Sequence, residues 1–281
     1  MKKMKFWAGA VCLALCVGFA SCGDDDEDDD ILNDVLESGE DVNPSTVLPE
    51  GVPTMIGEDK ITLNEKGQVV KVDNGYDVAE FEYGVFSRTD YQVKMTCYDI
   101  EDPDDNYVIY MQLNGQGYVK KALQVYSDGD EDTWEFGYND EGQLNYMKRS
   151  EGGDEVTNIY YSGGNINFVE QYDRDGDRSE HVISYTFEVN ERLDSLENVC
   201  GVMPFDDCFS IDMDEMDMAY YAGLLGKATK SLPVRNTNYA DEKCYSEFAW
   251  ELDGRKFPVS LQVTDVDSVR VQPHDPIVFR W

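Results

Sequence analysis

The chain has 281 residues, of which 58 are Asp or Glu and 23 are Lys or Arg, so its formal net charge at pH 7 is −35. So acidic a surface repels phosphate groups, which excludes nucleic-acid binding through a basic face. Only two His are present, which disfavours His-based catalysis and metal sites with several His. Hydrophobic residues make up 41% of the chain, enough to build a core, and this excludes a wholly disordered protein.

The first residues have the pattern of an export signal. Three Lys fall within the first five positions, and an apolar run covers residues 6–19. That run is too short to span a bilayer, which takes about 20 residues, so it is typical of a secretory signal peptide.

The end of this signal carries a second pattern, Phe19-Ala20-Ser21-Cys22. It resembles the lipobox of bacterial lipoproteins, although Phe19 stands where Leu is usual. The resemblance implies a lipoprotein signal peptide over residues 1–21, cleavage before Cys22 and acylation of Cys22. Several acyl chains anchor a protein stably, whereas one does so only marginally. The alternative is an ordinary signal with an incidental Cys.

An unbroken acidic run, residues 24–30, follows Cys22 closely. It resembles the surface-export signal of Bacteroides-type lipoproteins, and by composition alone it is a solvated, self-repelling spacer. We predict a disordered tether over residues 22–56 and a β-rich domain over residues 57–281. These features indicate a protein held by lipid at the outer membrane, on the cell surface, with the periplasmic face as the alternative.

Four further cysteines, Cys97, Cys200, Cys208 and Cys244, lie in the expected domain. An exported location permits disulfides, and four cysteines allow three pairings. Cys200 and Cys208 are close enough in sequence to form a disulfide loop; the alternative is four free thiols. Their spacing matches no metal or redox motif.

The fold class follows from alternation and turns. Residues 107–113 and 134–138 alternate apolar with other residues, and Asn114-Gly115 and Asp128-Gly129 supply hairpin turns. Repetition of this pattern predicts a mainly β protein: a single meandering, curved antiparallel sheet, open or closed into a barrel, of roughly 11–14 short strands. One short helix is expected near residues 214–228, where better helix formers end on glycines.

A weak internal repeat supports the hairpins. The segment that contains Gly142 resembles the one that contains Gly164: each has an aromatic strand end, a polar turn with Gly and an apolar strand start. We interpret each repeat as one hairpin and expect a positive φ at both glycines.

Residues 220–233, Tyr-Tyr-Ala-Gly-Leu-Leu-Gly-Lys-Ala-Thr-Lys-Ser-Leu-Pro, follow these Tyr- and Gly-rich hairpins. Together they resemble the domain of unknown function described as having a porin-like fold, which recurs in Bacteroides-type lipoproteins. The resemblance covers roughly residues 57–265, and Gly-Leu-Leu-Gly-Lys is its most specific part. It implies a curved, mostly antiparallel sheet in an exported lipoprotein, and it transfers no catalytic residue.

No motif predicts catalysis, a metal site or a cofactor. Residues 223–229 fail the phosphate-loop pattern, and Asp173–Glu180 fails the calcium-loop pattern, because Arg178 stands where Gly is needed. His181 and His274 have no nucleophile motif nearby. Acids are too abundant for any catalytic pair to be named.

Two modification sites and one ligand class can be suggested. Ser195 and Ser268 each follow Asp and precede an apolar residue, which resembles the O-glycosylation sequon of Bacteroides-type exported proteins. Trp134, Trp250 and Trp281, with many Tyr, could form flat platforms for sugars; the alternative is that they pack in the core.

The sequence therefore predicts a cell-envelope lipoprotein that acts as a non-enzymatic binding or accessory module. It has the membrane as partner through Cys22, and its ligand is unknown. A glycan-binding or carbohydrate-processing component and a barrel inserted in the outer membrane are the alternatives. Solvent-facing aromatics on one face would favour the first, and an unbroken outward apolar band would favour the second.

Overall fold

The computed structural model describes residues 36–86, 90–100, 106–150, 153–189 and 192–281. The predicted signal peptide, Cys22 and the acidic run of the tether therefore lie outside the described residues. Within the described ranges, no helix is long and apolar enough to cross a membrane.

The domain is built almost entirely of antiparallel strands. In chain order they are β1 Met55–Ile56, β2 Asp59–Leu63, β3 Val69–Asp73, β4 Asp77–Tyr83, β5 Val93–Asp99, β6 Tyr107–Leu113, β7 Val119–Tyr126, β8 Glu131–Tyr138, β9 Leu144–Arg149, β10 Glu155–Ser162, β11 Asn165–Tyr172, β12 Arg178–Ser184, β13 Thr186–Val189, β14 Arg192–Glu197, β15 Ser231–Leu232, β16 Arg235–Asn238, β17 Tyr245–Leu252, β18 Pro258–Val266, β19 Val271–Pro273 and β20 Ile277–Arg280. The helices are α1 Phe205–Phe209 and α2 Asp217–Tyr221, with 3-10 turns at Gly39–Asp41, Pro44–Thr46 and Asp214–Met216.

Sixteen of these strands close into a barrel. Each pairs with its neighbour in chain order from β1 to β12, then through β16, β17, β18 and β20. The ring closes because β1 pairs with β20 through Met55–Arg280 and Ile56–Phe279. β19 pairs with the far end of β18, and β13, β14 and β15 form a separate small sheet. The predicted mainly antiparallel, curved sheet is confirmed, with more strands than expected because several are only two to four residues long.

Alternating residues of the strands face opposite environments. In β5, Val93, Met95 and Cys97 are buried in the barrel, while Lys94 and Thr96 face outward. Outward charges form ion pairs between neighbouring strands: Lys94 with Glu82 at 2.6 Å, and Lys121 with Glu135 at 3.4 Å. The barrel thus has an apolar interior and a charged exterior.

The interior is filled by one internal segment, residues 199–230, which we call the plug. It enters at the end of the barrel that holds turns 64–68, 114–118 and 139–143, which we call the base. It runs through α1 to the opposite end, the mouth, which holds turns 127–130, 173–177 and 239–244, and returns through α2. At the base, the Lys227 N–H donates to the Gly142 carbonyl and the Lys230 N–H to the Gly164 carbonyl. The plug side chains buried at 2% exposure or less include Val202, Met203, Cys208, Phe209, Ile211, Met213, Met216, Ala219, Tyr220, Leu224 and Leu225.

The segment before β1, residues 36–54, closes the base; we call it the strap. Val47 and Leu48 are buried, and Gln68 donates hydrogen bonds to the carbonyls of Glu40 and Val42 at 3.1 and 3.0 Å. Residues 36–54, which the sequence analysis includes in the tether, are packed against the barrel. The many acids of this segment conceal its buried apolar residues in the sequence.

The hairpin turns follow one recurring design. Asn64, Asn114, Asn139 and Asp253 each accept two backbone N–H groups with the side-chain oxygen, from the residues two and four positions later. Side-chain caps of this kind replace hydrogen bonds that a tight turn leaves unmade. The expected positive φ is confirmed at Gly142 (+80°) and Gly164 (+83°).

Two local expectations differ in detail from the structure. The helix expected near residues 214–228 is limited to α2, because Gly223 takes a φ of +83° and ends it; α1 was not predicted. Cys200 and Cys208 are both buried and free in this structure, which holds the free-thiol alternative rather than the disulfide that their spacing allows.

A pair of glycines tests how tightly the plug fits. A Cβ at Gly226 (φ +82°) would lie 2.6 Å from the Gly142 carbonyl oxygen, whereas one at Gly117 (φ +84°) would meet nothing within 4 Å. We expect Gly117→Ala to lower the unfolding free energy by about 1 kcal/mol through backbone strain alone. Gly226→Ala should cost about 3 kcal/mol, because it must also displace the plug. Urea unfolding of a form without residues 1–22 measures both; equal losses would contradict the described plug contact.

Candidate functional site

The mouth of the barrel contains two adjoining cavities, of about 330 and 410 Å³, that share Ser210 at the tip of the plug. Ligand sites in proteins are concave and hold a few convergent polar groups. The mouth meets both conditions. Its polar groups come from the last inward-facing positions of the strands, where the apolar interior ends.

Ser210 is held by strand residues across the first cavity. It follows α1 with a φ of +53°, and its N–H bonds the Asp206 carbonyl, which ends the helix in a left-handed cap. Asn236 of β16, only 4% exposed, donates from Nδ2 to Ser210 Oγ at 3.0 Å. Its Oδ1 lies 3.1 Å from Nδ1 of His181, so that nitrogen carries the imidazole proton.

His181 consequently offers an acceptor to the cavity. Burial lowers the pKa of His181, so the ring is neutral at pH 7. With Nδ1 donating to Asn236, Nε2 keeps its lone pair. A ligand hydroxyl or amine in this cavity would have a suitable partner there.

Ser246 and Asp265 line the other wall of the first cavity, and His274 contacts Asp265 from outside it. Ser246 Oγ donates to Asp265 Oδ1 and His274 Nε2 to Asp265 Oδ2, each at 2.6 Å. Burial alone would raise the pKa of Asp265, but the bonds from Ser246 and His274 lower it overall. The carboxylate lies between the hydroxyl and the imidazole, so the imidazole cannot take the hydroxyl proton as a nucleophilic triad requires.

The second cavity is organised around Arg149, whose side chain is only 12% exposed. Its Nε donates to Glu155 at 2.6 Å, and its terminal nitrogens contact Asp214 and, at 3.1 Å, Asp212. Its guanidinium carbon lies 5.7 Å from the centre of the Trp134 ring. Arg149 therefore fastens the acidic tip of the plug to the barrel wall.

The aromatic residues divide between interior and exterior. Trp134 is 2% exposed, and the indole N–H groups of Trp250 and Trp281 donate to the carbonyls of Pro233 and Pro258. These three tryptophans therefore pack against the rest of the protein, as the alternative of packing in the core predicts, and they do not form an exposed platform for sugars.

Tyrosines and one Phe instead form a patch on the outer wall, which we call the outer aromatic patch: Tyr160, Phe168 and Tyr239. The Phe168 ring lies 5.8 Å from that of Tyr160 and 5.9 Å from that of Tyr239. Tyr160 and Tyr239 are 48% and 60% exposed. Beside them Glu170 is 8% exposed and accepts bonds from Tyr160 and Arg178; the bond from Arg178 is the largest cause of its lowered pKa.

The predicted modification sites both lie at the surface. Ser195 is exposed on β14, and Ser268 is exposed in the turn between β18 and β19. Their glycosylation stays a prediction. The turn at Asp173, which was compared with a calcium loop, is capped by the Asp173 carboxylate accepting the N–H groups of Asp175 and Asp177.

Sequence reasoning did not single out Ser210, Asn236, Ser246 or Arg149. A usable signal was present, because His181 and Ser246 each stand two residues before a buried strand residue, Ile183 and Phe248. A polar residue that lies on the same face of a strand as the core residues, but beyond the last of them, predicts that the interior becomes polar at that end.

The matching family model settles which family this fold represents. It is described as a domain of unknown function (DUF4595) with porin-like fold, and it matches residues 61–260. The chain belongs to this family. Comparison with curated proteins gives no match.

Solved structures support the same fold. A porin-like protein from Bacteroides uniformis is 16% identical, with a TM-score of 0.60 over 79% of this chain and 87% of that one. A porin-like protein from Bacteroides vulgatus is 12% identical, with a TM-score of 0.50 over 82% of this chain and 98% of that one. At these identities the likeness concerns the fold alone.

The contacts of Arg149 lead to a prediction about the plug. Arg149→Met leaves Glu155, Asp212 and Asp214 without their counter-charge, so we expect a loss of about 2–3 kcal/mol in unfolding free energy. Backbone amides of residues 210–217 should also exchange hydrogen faster. The control is Lys121→Met, which removes an exposed pair and should cost less than about 1 kcal/mol. Equal effects of the two changes would show that Arg149 does not fasten the plug.

Proposed function

We propose that the protein is a lipid-anchored, non-enzymatic binding module of the outer membrane that takes a small polar ligand at the mouth of its barrel. The observation that carries the proposal is the filled interior. The plug occupies the lumen with apolar side chains, and the mouth keeps open cavities lined by polar groups. A barrel built in this way holds a ligand at its rim rather than passing one through.

The character of the mouth favours an uncharged, hydroxyl-rich ligand. His181, Asn236 and Ser246 supply donors and acceptors. Asp265, Asp267 and Arg270 place charges of both signs on the same cavity. Tyr245 adds an aromatic wall. Mixed, closely spaced donors and acceptors suit the several hydroxyl groups of a sugar or polyol better than one localised charge.

The exterior supports anchoring by lipid rather than by insertion. Lys94, Lys121 and Lys148 face outward and are paired with carboxylates. At the middle of a bilayer each Lys would cost about 2–4 kcal/mol. A chain with such an exterior needs a separate means of attachment, and acylation of Cys22 would supply it.

A second candidate is capture of glycan chains by the outer aromatic patch. Exposed rings of Tyr160 and Tyr239 flank Phe168, and the buried Glu170 carboxylate bonds the Tyr160 hydroxyl. Rings fixed in advance lose little entropy on binding. This candidate differs from the first in the residues it needs, so one set of variants distinguishes the two.

Anchoring is tested by Cys22→Ser, which removes the thiol that would accept lipid. We expect most of the protein to leave the membrane fraction, because the signal is then not followed by an acylated residue. Fractionation with a high-salt wash measures this, and the unchanged chain is the control. Sedimentation of Cys22→Ser with membranes after the wash would refute the lipid anchor.

Ligand binding is tested by thermal shift of a form without residues 1–22 against a panel of monosaccharides, oligosaccharides and polyols. A ligand at 100 times its dissociation constant stabilises the fold by about 2.7 kcal/mol. We expect Ser246→Ala and Asp265→Asn to abolish the shift while Tyr160→Ala and Tyr239→Ala keep it. The reverse result favours the outer aromatic patch, and no shift with any of these compounds contradicts both candidates.

A further inference from the structure

The path of the strap determines where the chain leaves the domain. Residues 36–54 pack on the base: the Gly39 N–H bonds the Gly84 carbonyl, and a Cβ at Gly223 of the plug would lie 2.6 Å from Pro44 Cα. Leu36 packs against the core. The chain therefore enters the described domain at the base and not at the mouth.

The mouth carries most of the acidic turns. Each of its described hairpin turns holds at least one carboxylate: Asp73 and Asp77, Asp128 and Asp130, Asp154, Asp173, Asp175 and Asp177, Asp241 and Glu242, and Asp267. The plug adds Asp212 and Asp214 at its tip. The exposed cations of these turns, Arg174, Lys243 and Arg270, are outnumbered by the carboxylates. Arg149 is already bonded to three carboxylates.

The base differs from the mouth in charge. The turns at residues 114–118 and 162–165 contain no charged residue. The other base turns hold Glu65, Asp140 and Glu141. The strap adds the exposed carboxylates of Glu37, Glu40, Asp41 and Glu50 to this end, and Lys66, Lys227 and Lys230 offset part of the negative charge. The long axis of the barrel therefore has a strongly negative end and a less negative one.

We propose that the base faces the membrane and the mouth points away from it. The partner of the base is a lipid surface with anionic headgroups, and the mouth is left open to soluble ligand. This inference rests on the lipid anchor at Cys22 in the proposed function, and it adds an orientation to it.

Two effects act in the same direction. The sequence between Cys22 and Leu36 reaches at most about 50 Å, so the base stays near the bilayer. Anionic headgroups repel carboxylates within a Debye length of about 8 Å at physiological salt, and they repel the mouth most strongly. An inverted barrel would press the mouth against the surface with the greatest repulsion.

The test uses the full acylated chain in vesicles that contain anionic phosphatidylglycerol and a headgroup-labelled energy acceptor. A Cys244→Ser background removes the one described thiol that is not buried. A donor dye is then attached either at Glu141→Cys, in a base turn, or at Asp175→Cys, in a mouth turn. The strands between these turns are eight residues long, about 25 Å, so donor quenching should be roughly twofold greater at the base.

The matched control reverses charges at the mouth. Asp130→Lys with Glu242→Lys should reduce the difference between the two dyes, and so should raising the salt to about 1 M, where the Debye length is about 3 Å. Equal quenching of the two dyes, or greater quenching at the mouth, on protein that floats with the vesicles would overturn the orientation. Protein that does not float with vesicles would refute the anchor instead, so the two failures are distinct.

Discussion

The width of a sixteen-strand barrel is the constraint on which the rest of this structure depends. An eight-strand barrel is just wide enough for its own side chains to fill, whereas sixteen strands leave a channel. Inward positions here carry ordinary residues such as Val93, Met95 and Ile109, which cannot meet across that gap. The plug supplies the missing volume, and without it the interior of the barrel could not reach the packing density of a protein core.

Filling the barrel explains features that are otherwise unrelated. The plug must turn back at the mouth, so Ser210 takes a positive φ and Arg149 fastens the tip. The plug must also leave the barrel through the base, where the hairpin turns limit the space. Gly226 can approach the Gly142 carbonyl closely because it has no Cβ. The strap then covers what the plug leaves open, and Gly223 lies against Pro44. The segment Gly-Leu-Leu-Gly-Lys is recognisable in sequence because both glycines allow these close approaches and both leucines are buried.

The sequence predicted the wall of the barrel better than its contents. Alternation in segments such as Tyr107–Leu113 and turns such as Asn139–Gly142 are local patterns, and local patterns are readable. The plug is held by contacts across the whole chain, and helices of five residues, such as α2, have no periodicity to detect. The strap resembles a tether in sequence because its many acids conceal the buried Val47 and Leu48. The polar groups of the mouth could not be predicted for a related reason, since Ser210 and Asn236 come together only after the barrel closes.

The same topology can serve opposite environments, and the distribution of polarity decides between them. A porin in a bilayer has an apolar outer band and a polar lumen. Here Glu82–Lys94 and Lys121–Glu135 pairs lie on the outer wall, while Met95, Ile109 and Trp134 lie inside. Strand number and closure are set by backbone pairing, which is indifferent to which face is apolar. The likeness to porins therefore describes the path of the chain, and the ligand site that we propose lies at the mouth, where the apolar interior gives way to His181, Asn236 and Asp265.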